Sequence, residues 1–186
     1  MRRQLLRVMA ILLASALSAR AGSAPVAPDP AWQALAHHPL LPLDSGSAVA
    51  TAPPVVAGRP LLLHFWASWC APCRRELPAL DARAARWQAA GLELRAVSID
   101  REPEKARRFA ASLMLAMPLY QDGPDGLAAQ LDLPALPCSY LFDGEGALRL
   151  VLHGEDARGL AALEAAVAEL LPADRPAPAA AAMGSR

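Results

Sequence analysis

The sequence predicts an α/β fold in which a mixed central sheet is flanked by helices. Two successive strand–helix patterns between residues 61 and 115 favour a parallel β-α-β core. Two apolar runs joined by a glycine-rich turn at 143–146 indicate an antiparallel hairpin, and an amphipathic helix follows it. The chain has 186 residues, of which 54% are apolar and 19% charged, and this composition fits one compact domain.

The first strand and helix are predicted at residues 61–66 and about 71–90. Residues 61–66 form a short, nearly continuous apolar run, which is typical of a buried central strand. The next segment is predicted to be helical because apolar residues recur at helical spacing: Leu77, Leu80, Ala84 and Trp87. Gly91 then marks the end of the helix.

The second strand and helix follow directly. Residues 92–99 alternate in polarity and predict a strand. Pro103, with Glu102 and Glu104 on either side, is typical of the first turn of a helix. The remaining elements follow in order: a short strand at 117–121, a weak helix at 127–131, hairpin strands at 136–142 and 147–153, and a last helix at about 156–171.

The chain begins like a secretory signal peptide. Three arginines among the first seven residues precede an uncharged run at 8–19, and small residues at 19 and 21 predict cleavage after residue 21. We therefore expect export to the periplasm. The alternative is an uncleaved membrane anchor, although the run is short for a span. The predicted organisation is a signal peptide at 1–21, a linker or N-terminal extension at 22–39, the folded domain at 40–171 and a disordered tail at 172–186.

Two of the three cysteines form a Cys-x-x-Cys motif, Cys70 and Cys73. Such a small loop makes a poor structural staple, so a redox function explains the pair better. Because Cys70 falls where the strand ends and the helix begins, free backbone N–H groups and the helix dipole should stabilise its thiolate. Cys73 is then placed to resolve a mixed disulfide. Pro72 suits the first helical turn, where its missing N–H needs no partner.

Residues 65–78, FWASWCAPCRRELP, resemble the active-site segment of the TlpA/ResA-like thioredoxins. The resemblance continues through 97–100 and 136–146, and so covers roughly residues 40–171. It implies a thioredoxin-like fold. It also implies that the helix and strand predicted at 103–115 and 117–121 are the insertion typical of that family.

The resemblance further implies a shell of residues around the cysteine pair. Pro137 is expected to follow a cis peptide bond and to pack against the pair, exposing backbone to the substrate chain, and Leu136 is expected to belong to the same shell. Trp69 is expected to pack beside Cys70. Glu76 matches a glutamate that the family places near its thiols, and the alternative is a solvated acid that stabilises the first helical turn.

The function that the resemblance implies is reduction of protein disulfides in the periplasm, in cytochrome c maturation or a related pathway. A membrane donor of the DsbD/CcdA type would then re-reduce the pair, and no cofactor or metal is expected beyond the redox-active disulfide. An oxidase or isomerase is the enzymatic alternative. Since lysine plus arginine and aspartate plus glutamate both total 18, no nucleic-acid partner is expected, and we expect a monomer.

Two residues depart from the family pattern. His64 occupies a strand position where thioredoxins carry a buried acid, so it is either a proton relay to Cys73 or a neutral, hydrogen-bonded core histidine. Cys138 follows Pro137, where threonine or serine is usual. It is either a small buried hydrophobe or a third sulfur that pairs with Cys70 or Cys73, and a copper-handling module of the three cysteines is the alternative from another class.

A few remaining residues receive simpler interpretations. Ala135 stands where relatives tend to have glycine, which points to a different loop before the proline. Asp100 is expected to cap the end of its strand. His37 and His38 lie in a proline-flanked loop and are expected to be solvated, and His153 is expected to end a strand.

Overall fold

The computed structural model describes residues 28–38, 40–43, 55–122, 126–131, 133–154 and 157–171. The helices in these ranges are α1 (Pro30–His37), α2 (Cys73–Ala89), α3 (Pro103–Ser112), α4 (Leu127–Gln130) and α5 (Ala157–Leu170). The strands are β1 (Leu41–Pro42), β2 (Leu61–Trp66), β3 (Glu93–Ser98), β4 (Leu119–Gln121), β5 (Cys138–Phe142) and β6 (Leu148–His153). The predicted signal peptide and the predicted tail lie outside the described residues.

The strands form one mixed sheet in the order β1-β4-β3-β2-β5-β6. Strand β2 pairs in parallel with β3, and β3 with β4, while β5 is antiparallel to β2 and to β6. The predicted β-α-β core, the antiparallel hairpin and the α/β class are therefore confirmed. Because β2, β3 and β4 run the same way, their carboxyl ends meet at one edge of the sheet.

Two core clusters lie on opposite faces of the sheet, and the alternation of β2 separates them. Leu62 and Trp66 point into the first cluster, which α2, α3 and α5 cover. Leu61, Leu63 and Phe65 point into the second cluster, to which α1 and α4 contribute. All six residues of β2 are buried, which explains why the sequence of this strand is a continuous apolar run rather than an alternating one.

Helix α1 corrects the prediction of a linker at 22–39. Asp29 caps it by accepting a hydrogen bond from the Ala31 backbone N–H at 2.8 Å, and Pro30 occupies the first helical position. Ala31 and Leu35, four residues apart, are buried in the second cluster. The segment is helical because this short apolar stripe has a sheet face to cover.

The histidines at the end of α1 also differ from the prediction of a solvated loop. His37 is the last helical residue, and His38 follows it. The His38 ring Nε2 lies 3.3 Å from the Asp122 carboxylate, so His38 is partly buried rather than free in solvent.

No helix in the described ranges has the length and apolar character needed to cross a bilayer.

Candidate active site

The cysteine pair lies at the junction between the end of β2 and the start of α2. Cys70 and Cys73 are joined by a disulfide with a Cα–Cα distance of 5.3 Å, and Cys73 is the first residue of α2. The Cys73 backbone N–H donates to the Cys70 sulfur at 3.2 Å. Cys70 is 5% exposed and Cys73 is fully buried. Only Cys70 therefore reaches solvent, and a helix-terminal N–H group faces its sulfur.

A buried carboxylate anchors the turn before Cys70. Asp100 follows β3, as predicted, and its oxygens accept hydrogen bonds from the Ser68 backbone N–H at 2.8 Å and from the Ser68 hydroxyl at 2.7 Å. The Ser98 hydroxyl donates to the same carboxylate at 3.0 Å. Asp100 therefore ties the ends of β2 and β3 together, and its position fixes the backbone two residues before Cys70.

Arg74 and Glu76, two charged residues that follow Cys73, have different surroundings. The Arg74 guanidinium lies 4.6 Å from the centre of the Phe109 ring, which itself stacks on Trp66. This cation–π contact holds the positive charge over the first core cluster. Glu76 is half-buried, and one of its carboxylate oxygens is buried. Glu76 also stands in the first turn of α2, so a role near the thiols stays a prediction beside first-turn stabilisation.

An apolar cleft of about 440 Å³ opens beside Cys70. Its lining consists of Cys70 and uncharged side chains: Trp69, Ala71, Pro72, Ile99, Leu133, Ala135 and Leu136. Trp69 stands at the cleft with 67% of its surface exposed. A tryptophan this exposed beside Cys70 forms an apolar surface of the kind that is typical of protein contact sites.

The structure brings together only part of the predicted shell. Trp69, Pro72 and Leu136 line the cleft with Cys70, whereas Glu76, His64, Pro137 and Cys138 do not line it.

The cleft also includes four residues outside the predicted set of site residues: Ala71, Ile99, Leu133 and Ala135. Ile99 follows the carboxyl end of β3, and the rule that ligands gather at that edge of parallel strands could have found it. Leu133 lies in a loop after α4 and carries no local signal.

The Leu136–Pro137 peptide bond is cis, as the resemblance implied. Pro137 is buried, and its carbonyl accepts a hydrogen bond from the Gly154 backbone N–H at 2.9 Å. Strand β5 begins at the next residue. That Pro137 packs against the cysteine pair stays a prediction.

Cys138 lies on the other face of the sheet from the pair. Its partner across the β2–β5 register is Phe65, and both belong to the second core cluster. Cys70 and Cys73 belong to the first cluster. The alternation of β5 thus directs the third sulfur away from the face that α2 covers.

The surroundings of Cys138 keep its thiol protonated. Burial raises its pKa to about 11, the nearby Glu76 charge adds to that rise, and a hydrogen bond with Tyr140 opposes it. The sulfur lies 3.3 Å from Nδ1 of His153, an exposed residue that ends β6, as predicted. A buried, protonated thiol behaves as a small core residue, which supports the first interpretation of Cys138.

His64 is a buried, neutral histidine in this structure. Burial lowers its pKa from 6.5 to about 3, and Nδ1 lies 2.8 Å from the Ser139 hydroxyl. Its Nε2 is buried and has no hydrogen-bond partner among the described residues. These observations favour the neutral core histidine, and a proton relay to Cys73 stays a hypothesis.

Metal ligands are not assembled at the site. In the described part of the chain, no group of three or more histidine, cysteine, aspartate or glutamate side chains is arranged to hold a metal ion. Since Cys138 also points to the opposite face, the structure gives no support to a copper site made of the three cysteines.

Comparison with known proteins gives consistent matches. The sequence profile of the AhpC/TSA family matches residues 43–151, more than half of the chain. The thiol-disulfide oxidoreductase ResA of Geobacillus thermodenitrificans is 29% identical over 97 residues, which are 52% of this chain and 56% of that protein. The thioredoxin-like protein YneN of Bacillus subtilis is 30% identical over 94 residues, which are 50% of this chain and 55% of that protein. The chain therefore spans a little over half the length of these curated relatives.

Solved structures show the same fold. A crystal structure from Chlorobium tepidum, described as that of a thiol:disulfide interchange protein DsbE, superposes with a TM-score of 0.59 and 28% identity. The match covers 62% of this chain and 82% of that one. The thioredoxin-like fold and the resemblance to ResA-like proteins are thereby confirmed.

Proposed function

Because the chain belongs to the AhpC/TSA family and holds a cysteine pair at an apolar cleft, we propose that it is a thiol-disulfide oxidoreductase that reduces protein disulfides. The observation that carries this proposal is the asymmetry of the pair. Cys70 lines the cleft and reaches solvent, whereas Cys73 is fully buried behind it at the start of α2. This arrangement suits an attacking sulfur and a resolving sulfur.

The reaction proceeds in two exchanges. In the reduced protein, the Cys70 thiolate attacks one sulfur of the substrate disulfide, and the other substrate sulfur leaves as a thiolate. Cys73 then attacks the Cys70 sulfur, and the second substrate thiolate leaves with the proton that Cys73 gives up. The substrate gains two electrons, and the protein is left with the Cys70–Cys73 disulfide. The N–H of Cys73, aimed at the Cys70 sulfur, stabilises the thiolate in the first exchange.

The shape of the cleft supports a polypeptide substrate. Its lining is uncharged and contains one strongly exposed tryptophan, Trp69. An unfolded or flexible chain can lay apolar side chains against this surface while its disulfide reaches Cys70. Small charged thiols such as glutathione find no charged partner in this lining.

Location and electron supply belong to the same proposal. The arginine-rich start followed by an apolar run supports export to the periplasm. A membrane dithiol donor of the DsbD/CcdA type would return electrons to the pair, and a task such as cytochrome c maturation would use them. The Ala-Pro dipeptide between the cysteines, which carries no charge, favours the reducing direction.

The test is insulin reduction with dithiothreitol as electron source. We expect the wild-type protein to accelerate it and Cys70→Ser to abolish it, a loss of at least about a thousandfold. Cys73→Ser should accumulate a mixed disulfide with insulin. Cys138→Ser is the matched control, and its rate should stay within about twofold of wild type. A Cys70→Ser protein that still reduces insulin would contradict the proposal.

The reduction potential tests the direction separately. A value near the roughly −270 mV of thioredoxin supports a reductase. A value near the roughly −120 mV of DsbA would make the protein an oxidase and overturn the assigned direction.

A further inference from the structure

Helix α1 precedes the matched segment 43–151 and is held at both of its ends. At its start, the Asp29 backbone N–H donates to the Gly146 carbonyl at 2.9 Å. The Trp32 ring packs on Gly146 so closely that a Cβ there would lie 2.7 Å from it. Trp32 also lies 5.6 Å from the Phe142 ring. The start of α1 is therefore fixed to the β5–β6 hairpin.

The end of α1 is fixed to α4 through His38. Nε2 of His38 lies 3.3 Å from Asp122, and Nδ1 lies 3.2 Å from the Gln130 side-chain nitrogen. The Nε2–H group can donate to the Asp122 carboxylate, and Nδ1 can accept from the Gln130 side-chain amide. Asp122 in turn accepts from the backbone N–H groups of Leu127 and Ala128, at 2.8 and 2.7 Å. His38 thus reinforces the carboxylate that caps α4.

The apolar face of α1 packs into the second core cluster, which extends to the cleft. Ala31 and Leu35 share the second core cluster with Leu127 of α4. Leu133 and Leu136 pack against the same cluster and also line the cleft beside Cys70. Leu133 therefore connects the cluster that α1 helps to build with the cleft, and Leu136 packs against both clusters and lines the cleft.

We propose that α1 positions Leu133 and Leu136 as a wall of the cleft, and that Leu35 and His38 thereby help to determine which protein disulfides react. This inference rests on the proposed function. A small disulfide needs only the Cys70 sulfur, whereas a polypeptide must also lie along the wall. Displacing a wall by about 1 Å can cost a reaction up to roughly a hundredfold, so the effect on a polypeptide is measurable.

The experiment compares two disulfides on the same proteins, insulin and hydroxyethyl disulfide. We expect Leu35→Ala to raise KM for insulin about tenfold, and His38→Ala to raise it about two- to tenfold, the range that one lost hydrogen bond produces. KM for hydroxyethyl disulfide should stay within about twofold. Leu163→Ala is the matched control, because Leu163 is also buried on a helix, α5, but in the first cluster, against which Leu136 packs and Leu133 does not. It should lower the melting temperature without changing the ratio of the two KM values.

Each contrary outcome has a distinct meaning. Unchanged insulin KM in both folded variants would overturn the inference, and so would an equal rise for both disulfides or the same selectivity change in Leu163→Ala. If Leu35→Ala does not fold, His38→Ala decides alone, since it removes side-chain contacts near the protein surface. A wild-type protein that reduces neither disulfide would overturn the proposed function and this inference with it.

Discussion

Both faces of the central sheet carry cysteine side chains, but the surroundings of these cysteines differ. On the face covered by α2, Cys70 and Cys73 lie at the start of a helix, beside a cleft. On the opposite face, Cys138 lies at the start of a strand, 1% exposed, with its pKa raised to about 11 by burial. The comparison predicts that the reactivity of each thiol depends on its place in the fold rather than on its distance in sequence from the other sulfurs.

Each face also buries a titratable group that stays uncharged at neutral pH. His64 is held neutral on the first face, and the Cys138 thiol is held neutral on the second. His64 becomes charged in acid, and the Cys138 thiol becomes charged in alkali. Acid should therefore destabilise the first face by protonating His64, and alkali should make Cys138 on the second face reactive by deprotonating its thiol.

The largest expected effect concerns His64 in acid. Because burial lowers its pKa from 6.5 to about 3, the unfolded chain binds a proton that the folded protein does not. The histidine therefore destabilises the fold increasingly as pH falls from 6.5 towards 3, and not above 6.5. Between pH 7 and pH 4, wild type should lose about 3 kcal/mol more unfolding free energy than His64→Asn, at about 1.4 kcal/mol per pH unit. Urea titrations at the two pH values measure this difference.

The same variant tests the relay hypothesis for His64. If the histidine is a neutral core residue, the pH profile of insulin reduction above pH 7 should be the same in His64→Asn and wild type. A shifted profile would instead show that His64 handles the Cys73 proton. Parallel stability curves in acid would contradict the neutral assignment.

The second effect concerns Cys138 alkylation. In the reduced native protein at pH 8, iodoacetamide should modify Cys138 at least about a hundredfold more slowly than in the urea-unfolded chain, because its pKa is about 11 rather than near 8.5. Peptide mass spectrometry gives the rate at each cysteine, and Cys70 in the same sample is the internal control. Comparable rates at Cys138 and Cys70 would remove the distinction between the two faces.

The smallest effect concerns the Arg74–Phe109 contact on the first face. Arg74→Ala should lower the unfolding free energy by about 0.5–1 kcal/mol, the usual size of an exposed cation–π contact. In a Phe109→Leu background, which keeps an apolar side chain but no ring, the same substitution should have almost no effect. Thermal melts of the four proteins complete this cycle, and equal losses in both backgrounds would show that the ring contact contributes nothing.

The sequence was sufficient for the elements that carry their own signal. The apolar run of β2, the Cys-x-x-Cys motif and the helical spacing after it together located Cys70 at a strand–helix junction, and the structure has it there. Helix α1 was missed because the prolines around it suggest extended chain. Its signal was present nonetheless, since Asp29 before Pro30 is a typical helix start.

The remaining features of the site depend on pairing that is remote in sequence. Whether Cys138 faces the active pair follows from its register opposite Phe65, and a shift of one residue would reverse the answer. Leu133 reaches the cleft only because the loop after α4 returns to Cys70. Neither fact can be obtained from local patterns, because each depends on which distant strands become neighbours.

The hydrogen bond from the Asp29 backbone N–H to the β5–β6 turn places the start of α1 at one end of the sheet. Because β5 is antiparallel to β2, that turn lies at the end of the sheet where β2 begins, about 20 Å from the end that leads to Cys70. A label attached at residue 28 would therefore lie at the opposite end of β2 from the cleft, where it leaves the approach to Cys70 open.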